Sequence, residues 1–325
     1  MQTRRLGKTD LELTVIGLGA WAIGGPWVYG WGPQNDKDSL ATIKRALDAG
    51  INWIDTAAVY GLGRSEQVVG QAIKGRRDEV IVATKCGLVW DDVGRVSGRL
   101  KAKSVRAECE ASLKRLGVER IDLYQIHWPD PDGDIEEGWS EVARLAEEGK
   151  LRYGGVSNFS VSQLRRAQTI MPIASLQPPY SMLKRDIETE ILPFCKKEGI
   201  GVVAYSPMHS GLLTGKYDVA TIAALPDDDW RKTKSLQFRP PKLAANLAFI
   251  EALKPVAKKA GLTLGQLAVA WVLKHPATTA AIVGMRKPSQ VDDALPAAGA
   301  ELDETVMAEI AALLAERERR LAAIG

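Results

Sequence analysis

The chain has 325 residues with 43 Lys and Arg against 40 Asp and Glu, a formal charge of +3. That balance, with the basic residues dispersed, gives no drive toward nucleic acid or an anionic membrane. Three cysteines, Cys86, Cys109 and Cys195, are too few and odd in number for a disulfide framework, which fits a reducing compartment.

The first fifteen residues read as a hairpin: Thr3–Leu6, a polar turn Gly7-Lys8-Thr9-Asp10, then Leu11-Glu12-Leu13. No apolar signal core precedes it and no apolar run approaches the ~20 residues of a membrane span, so a cytoplasmic protein is expected. Eight apolar, strand-like runs follow: Val15–Leu18, Ile51–Asp55, Val80–Thr84, Ile121–Ile126, Tyr153–Ser157, Ile173–Gln177, Gly201–Tyr205 and Ala280–Val283. Continuous apolar runs suit strands buried on both faces. Amphipathic helical stretches alternate with them, near 37–49, 65–74, 104–116, 135–148, 160–169, 187–198, 242–260 and 263–275. Gly50, Gly75, Gly117, Gly149, Gly199 and Gly261 stand where helices should stop. Eight β-then-α units predict an α/β fold, a (β/α)₈ barrel over residues 1–325 as one domain, with the hairpin on the barrel floor.

Two connections exceed the 2–6 residues usual in such units. One runs from Gly19 to Asn35 and carries Trp21, Trp27, Tyr29 and Trp31 among glycines; the other runs from Ser206 to about Pro241. Long loops after barrel strands are where a site is built. Val15-Ile16-Gly17-Leu18-Gly19-Ala20-Trp21-Ala22 matches the spacing of a dinucleotide-binding glycine motif. No helix follows it at once, so that reading is rejected. Gly211–Tyr217 lacks the spacing of a phosphate loop. The Asn158-Phe159-Ser160 sequon is immaterial without a secretory signal. His127, His209 and His275 have no neighbouring Cys, and no metal site is expected.

Four ionisable residues follow strand-like runs: Asp55, Tyr60 five residues on, Lys85 and His127. Singly, each has a bland reading as a cap, a packing aromatic, a surface charge or a satisfied core histidine. Together, at the ends of the second to fourth strands, they form an acid–base set. Lys85 would lower the Tyr60 pKa, Asp55 would hold Lys85, and His127 would orient a carbonyl.

With these residues in place the chain resembles the aldo-keto reductase family. The resemblance rests on Ile54-Asp55-Thr56-Ala57-Ala58-Val59-Tyr60-Gly61 with Ser65-Glu66, on Ala83-Thr84-Lys85, and on Leu123-Tyr124-Gln125-Ile126-His127-Trp128-Pro129. It extends through Gly154–Phe159, Gln177-Pro178-Pro179-Tyr180, Ala204-Tyr205-Ser206-Pro207 and Gly211-Leu212-Leu213-Thr214-Gly215-Lys216, the last resembling bacterial branches with a long seventh loop. The resemblance implies a reductase of aldehydes and ketones that uses NADP(H), with Tyr60 as proton donor. It further implies nicotinamide carboxamide contacts at Ser157, Asn158 and Gln177, stacking by Tyr205, and cofactor contacts at Ala20, Trp21 and Asp55. Ser206, Pro207, Gly211, Leu212 and Lys216 would line the pyrophosphate, with Met208 a further cofactor contact. Gly284, Arg286, Gln290 and Asp293 would hold the adenosine end, where Arg286 can grip a 2′-phosphate. Asp293-Ala294 stands where the family has an acid followed by Asn, and Ala20 replaces a commoner Thr. Trp21, Trp27, Trp90 and Trp128 would wall the pocket of a small-molecule carbonyl or alcohol substrate, which suggests apolar or aromatic carbonyls. Two rivals remain at this level: an NADP-binding accessory subunit resembling potassium-channel β-subunits, and a Schiff-base aldolase acting through Lys85.

Overall fold

The computed structural model describes residues 1–30, 32–227 and 229–323; Trp31, named above in the first long loop, lies outside them. Strands β1 (Thr3–Arg5) and β2 (Glu12–Thr14) pair antiparallel as the predicted hairpin. The barrel strands are β3 (Ile16–Gly19), β4 (Trp53–Asp55), β5 (Ile81–Cys86), β8 (Ile121–Ile126), β9 (Leu151–Ser157), β10 (Ser175–Gln177), β11 (Gly201–Ala204) and β12 (Thr278–Gly284). They close in the order β10-β11-β12-β3-β4-β5-β8-β9, all parallel. All eight coincide with predicted runs. A further antiparallel hairpin, β6 (Leu88–Trp90) with β7 (Val96–Gly98), follows β5 and was not predicted.

Helices α1 (Asp36–Asp48), α2 (Arg64–Ile73), α3 (Ala102–Leu116), α4 (Ile135–Glu147), α5 (Val161–Gln168) and α6 (Ile191–Glu198) follow successive strands. The loop after β11 carries short helices α7 (Val219–Ala223) and α8 (Trp230–Thr233) before α9 (Lys242–Lys259) and α10 (Leu264–Lys274). Helices α11 (Pro288–Ala294) and α12 (Glu304–Ala322) end the chain. Gly117 caps α3 in the left-handed conformation, φ 65°, its N–H closing on the Leu113 carbonyl. A side chain there would cost strain that glycine avoids. The other five predicted stop glycines also have positive φ. No helix among the described residues is long and apolar enough to cross a membrane.

Strand period fixes what faces inward. Ile54, Val82, Tyr124, Val156, Leu176 and Val202 pack outward with the helices in the large core. The opposite parity, Trp53, Ala83, Leu123, Val203, Ala280 and Ile282, packs with Leu6, Leu11 and Leu13 of the hairpin inside the barrel. Trp53 fills the floor: its indole N–H donates to the Thr14 carbonyl at 2.8 Å, and a methyl on Gly17 would overlap its ring at 2.0 Å. Two residues further along the inward parity, that apolar layer gives way to Asp55, Lys85, Gln125, Ser157, Gln177 and Tyr205. The sequence thus builds an apolar plug below and a polar layer above on the same strands.

Candidate active site

The polar layer is a hydrogen-bonded network at the C-terminal ends of the strands. Lys85 is 1% exposed. Its Nζ donates to Asp55 Oδ1 at 2.7 Å, to the Thr56 carbonyl at 2.9 Å and to the Tyr60 hydroxyl at 3.2 Å. The other Asp55 oxygen accepts from Gln177 Nε2 at 2.8 Å and from Gln125 Nε2 at 3.5 Å. An ammonium with no solvent needs such a shell, because an uncompensated buried charge costs several kcal/mol. Register supplies it: Asp55 pairs with Ala83, Lys85 with Gln125, and Gln177 with Ser157 across adjacent strands. Glu66, of the Ser65-Glu66 motif, is fully buried and accepts from Thr84 Oγ1 at 2.5 Å and Arg115 Nε at 2.7 Å, bracing the strand that carries Lys85.

Tyr60 stands between this network and the loops. Its ring lies 5.6 Å from His127, edge-on, and 6.1 Å from Trp27. Burial, and then the Asp55 charge, hold its phenol well above the ordinary value of 10. The net direction is therefore upward, opposite to the lowering expected from Lys85 alone. Burial also lowers Lys85, with Asp55 opposing. Burial, and then Lys85, push His127 well below 6.5, so its imidazole is neutral and serves as a hydrogen-bonding group.

A second set adjoins the first. Ser157 Oγ donates to the Gln177 carbonyl at 2.8 Å. Asn158, at φ 64°, donates from Nδ2 to the His127 carbonyl at 3.0 Å and to Ser157 Oγ at 2.9 Å. The Tyr205 hydroxyl donates to Asn158 Oδ1 at 2.9 Å. Beyond β11 the backbone turns through left-handed Ser206, His209, Ser210 and Gly211 around buried Pro207 and half-buried Met208. Leu212 is buried in the core, and Lys216 is exposed. At the β12 end, Gly284 and Asp293 are exposed, and the Asp293 carbonyl accepts from Gln266. Gln290 Oε1 accepts from the Arg286 backbone N–H at 2.7 Å. The Arg286 guanidinium is held by the first long loop: Nε donates to Gln34 Oε1 at 2.7 Å and Nη2 to the Pro33 carbonyl at 2.5 Å.

The two long loops meet. Among the described residues only a short 3-10 turn, Trp21–Gly24, and no α-helix stands between Gly19 and Asp36, which bears out the rejection of the glycine motif. The Ala20 N–H donates to the Asp55 carbonyl at 2.8 Å, and Ala20's own carbonyl accepts from Ser65. Trp21 packs on Trp230 of the seventh loop with ring centroids 5.9 Å apart. The first loop also presses its backbone on the residue after Tyr60: a methyl on Gly61 would lie 2.1 Å from the Gly24 carbonyl oxygen. Trp90 is half-buried on β6, and Trp128 is 45% exposed just after His127. Among the described residues no group of His, Cys, Asp and Glu could hold a metal ion.

Sequence reasoning missed Gln125, Gln34 and Trp230. Gln125 had a signal, since it lies two residues after inward Leu123 on the parity of Lys85. Gln34 and Trp230 had none, because their partners are 252 and about two hundred residues away.

A family model described as the Aldo/keto reductase family matches residues 15–315. The chain belongs to the aldo-keto reductases, enzymes of carbonyl reduction that use nicotinamide cofactors. It is 41% identical over 295 residues to aldo-keto reductase YhdN of Bacillus subtilis, covering 90% of this chain and 87% of that one. It is 35% identical to the NADH-specific methylglyoxal reductase of Escherichia coli, covering 95% and 98%. The solved glycerol dehydrogenase AKR11B4 from Gluconobacter oxydans superposes with a TM-score of 0.89 at 39% identity, over 97% of this chain and 95% of that one.

Proposed function

We propose that this chain is an NADPH-dependent reductase of small aldehydes and ketones, acting as one domain over residues 1–325, with Tyr60 as the proton donor. The observation that carries the reading is the direction of the Lys85–Tyr60 hydrogen bond. Lys85 donates in it, so the phenol keeps its own hydrogen for an acceptor at the mouth. A phenol held well above 10 is protonated at neutral pH, as a general acid must be. Neutral His127, edge-on to Tyr60, orients the carbonyl oxygen toward that hydrogen. Asp55 and Gln177 keep Lys85 charged and fixed, and Trp21, Trp27, Trp90 and Trp128 wall the pocket.

The residues fit a nicotinamide dinucleotide, which when bound supplies the hydride. Ser157, Asn158 and Gln177 are hydroxyl and amide groups suited to a carboxamide. Half-buried Tyr205 offers an aromatic face beside them. A methyl on Gly284 would meet nothing within 4 Å, which leaves room at the β12 end. Arg286 and Lys287 lie just beyond and favour a phosphate on the adenosine ribose, hence NADPH over NADH. The three free thiols are buried, in keeping with a reducing, cytoplasmic setting.

Tyr60→Phe tests the reading. It keeps the ring and removes the acid, so kcat falls ~10²–10⁴-fold while the NADPH dissociation constant, followed by fluorescence quenching, stays near that of the wild type. A mutant within threefold of wild-type kcat overturns Tyr60 as the donor.

A further inference from the structure

We infer that Gln34 of the first long loop sets the coenzyme preference by occupying the phosphate-gripping edge of Arg286; this rests on the reading of Arg286 as the 2′-phosphate contact. A guanidinium grips a phosphate bidentately through two adjacent N–H groups. Here the Nε/Nη2 edge of Arg286 already donates to Gln34 Oε1 at 2.7 Å and to the Pro33 carbonyl at 2.5 Å. Both acceptors are neutral, so a dianionic phosphate that takes this edge outcompetes them and displaces them. A coenzyme with a plain ribose hydroxyl leaves the pair intact. Gln34 therefore opposes NADPH without opposing NADH.

The pair is anchored from both sides. Gln34 Nε2 donates back to the Arg286 carbonyl at 3.0 Å and to Ser39 Oγ at 3.0 Å. The Gln34 carbonyl accepts from Arg64 Nη2 at 3.2 Å, and the same nitrogen bonds Asp36 Oδ1 at 2.7 Å. Arg64 opens α2, four residues after Tyr60, and the same loop sets Trp27 against the Tyr60 ring. Displacing Gln34 thus works against a fixed loop, which makes the competition cost affinity rather than a free side-chain rotation.

The test measures dissociation constants for NADPH and NADH, by quenching of protein fluorescence, in wild type, Gln34→Ala, Gln34→Glu and Arg286→Ala. Gln34→Ala removes one neutral competitor, and NADPH tightens about 3–10-fold while NADH stays within twofold. Gln34→Glu keeps the shape, adds a carboxylate to the guanidinium edge, and shifts the ratio the other way by at least as much. Gln34→Ala weakening NADPH, leaving the ratio unchanged, or moving both coenzymes equally overturns the proposal. If Arg286→Ala loses NADPH selectively while Gln34→Ala is silent, the Gln34 competition alone fails. If Arg286→Ala weakens both coenzymes equally, the phosphate reading of Arg286 fails, and the role of Gln34 with it.

Discussion

Two buried aspartates sit at opposite ends of the barrel and behave differently. Asp122, near the start of β8, accepts from Arg77 Nη2 at 2.7 Å, from Arg152 Nη1 at 3.2 Å and from the Val82 N–H at 2.9 Å. Its arginines are 30% and 27% exposed, so water shares their charge. Arg152 continues to Asp10 on the floor hairpin. Asp55, at the end of β4, faces an ammonium whose side chain has no exposure at all, and that ammonium bonds a phenol at the mouth. The lower carboxylate is closed off by fixed donors and fastens floor to wall. The upper one is linked through Lys85 to the Tyr60 hydroxyl. A buried ion pair by itself is weak support for function; its connection to a titratable group at the mouth of the barrel is the distinguishing feature.

Lys85→Met is expected to have the largest effect. It leaves the Asp55 charge buried without its cation, which costs about 3–5 kcal/mol in urea unfolding. In the folded fraction kcat drops on the order of 10²-fold or more, since the phenol loses its fixed donor. A stable mutant with kcat within threefold of wild type would erase the contrast between the two ends.

Asp122→Asn should separate stability from chemistry. It keeps an acceptor for the Val82 N–H but removes the charge between two arginines, costing about 1–3 kcal/mol. Its kcat, measured well below the unfolding midpoint, stays within twofold of wild type; a tenfold loss would mean the floor is coupled to the site.

Glu108 is a half-buried carboxylate whose hydrogen bonds come from neutral donors. It accepts from the Gly87 N–H at 2.9 Å and from Ser104 Oγ at 3.1 Å, and burial raises it from 4.5 to about 7. Because the fold favours its neutral form, its stabilisation is full below pH 4.5 and lost as pH rises through about 7. Glu108→Gln removes that decline. Thermal unfolding should show a gain at pH 8, on the order of 1–2 kcal/mol after allowing for partial exposure, and little change at pH 4. An equal effect at both pH values would contradict the buried charge.

The smallest effect concerns pH and rate. With Tyr60 held well above 10, the wild-type kcat for reduction should vary less than twofold between pH 7 and 9 when chemistry limits. An alkaline loss in that range that disappears in Tyr60→Phe would place the phenol lower than burial and Asp55 set it.

How much was legible follows from the range of each interaction. Asp55, Tyr60, Lys85 and His127 were readable because each follows an apolar run whose strand character is local. Parallel neighbours in sequence then become neighbours in space. Gln125 was readable in principle from its parity with Lys85. The β6–β7 hairpin was not, since three-residue strands around an Asp-Asp-Val-Gly turn carry no clear period. The sign of the Tyr60 shift was also out of reach. It depends on how completely the first loop and Trp27 bury the ring, against the benefit of one ammonium.

By itself the sequence determined the eight strands, the stop glycines, the floor hairpin and the inward layer that turns from apolar to polar along each strand. Period and turn chemistry act over a few residues, and they leave few alternatives. Only the tertiary structure decided which carboxylate is sealed and which is relayed, that Trp21 meets Trp230, and that Gln34 lies on Arg286. Those outcomes are set by barrel closure and loop packing, where partners two hundred residues apart meet and no local pattern encodes the pairing.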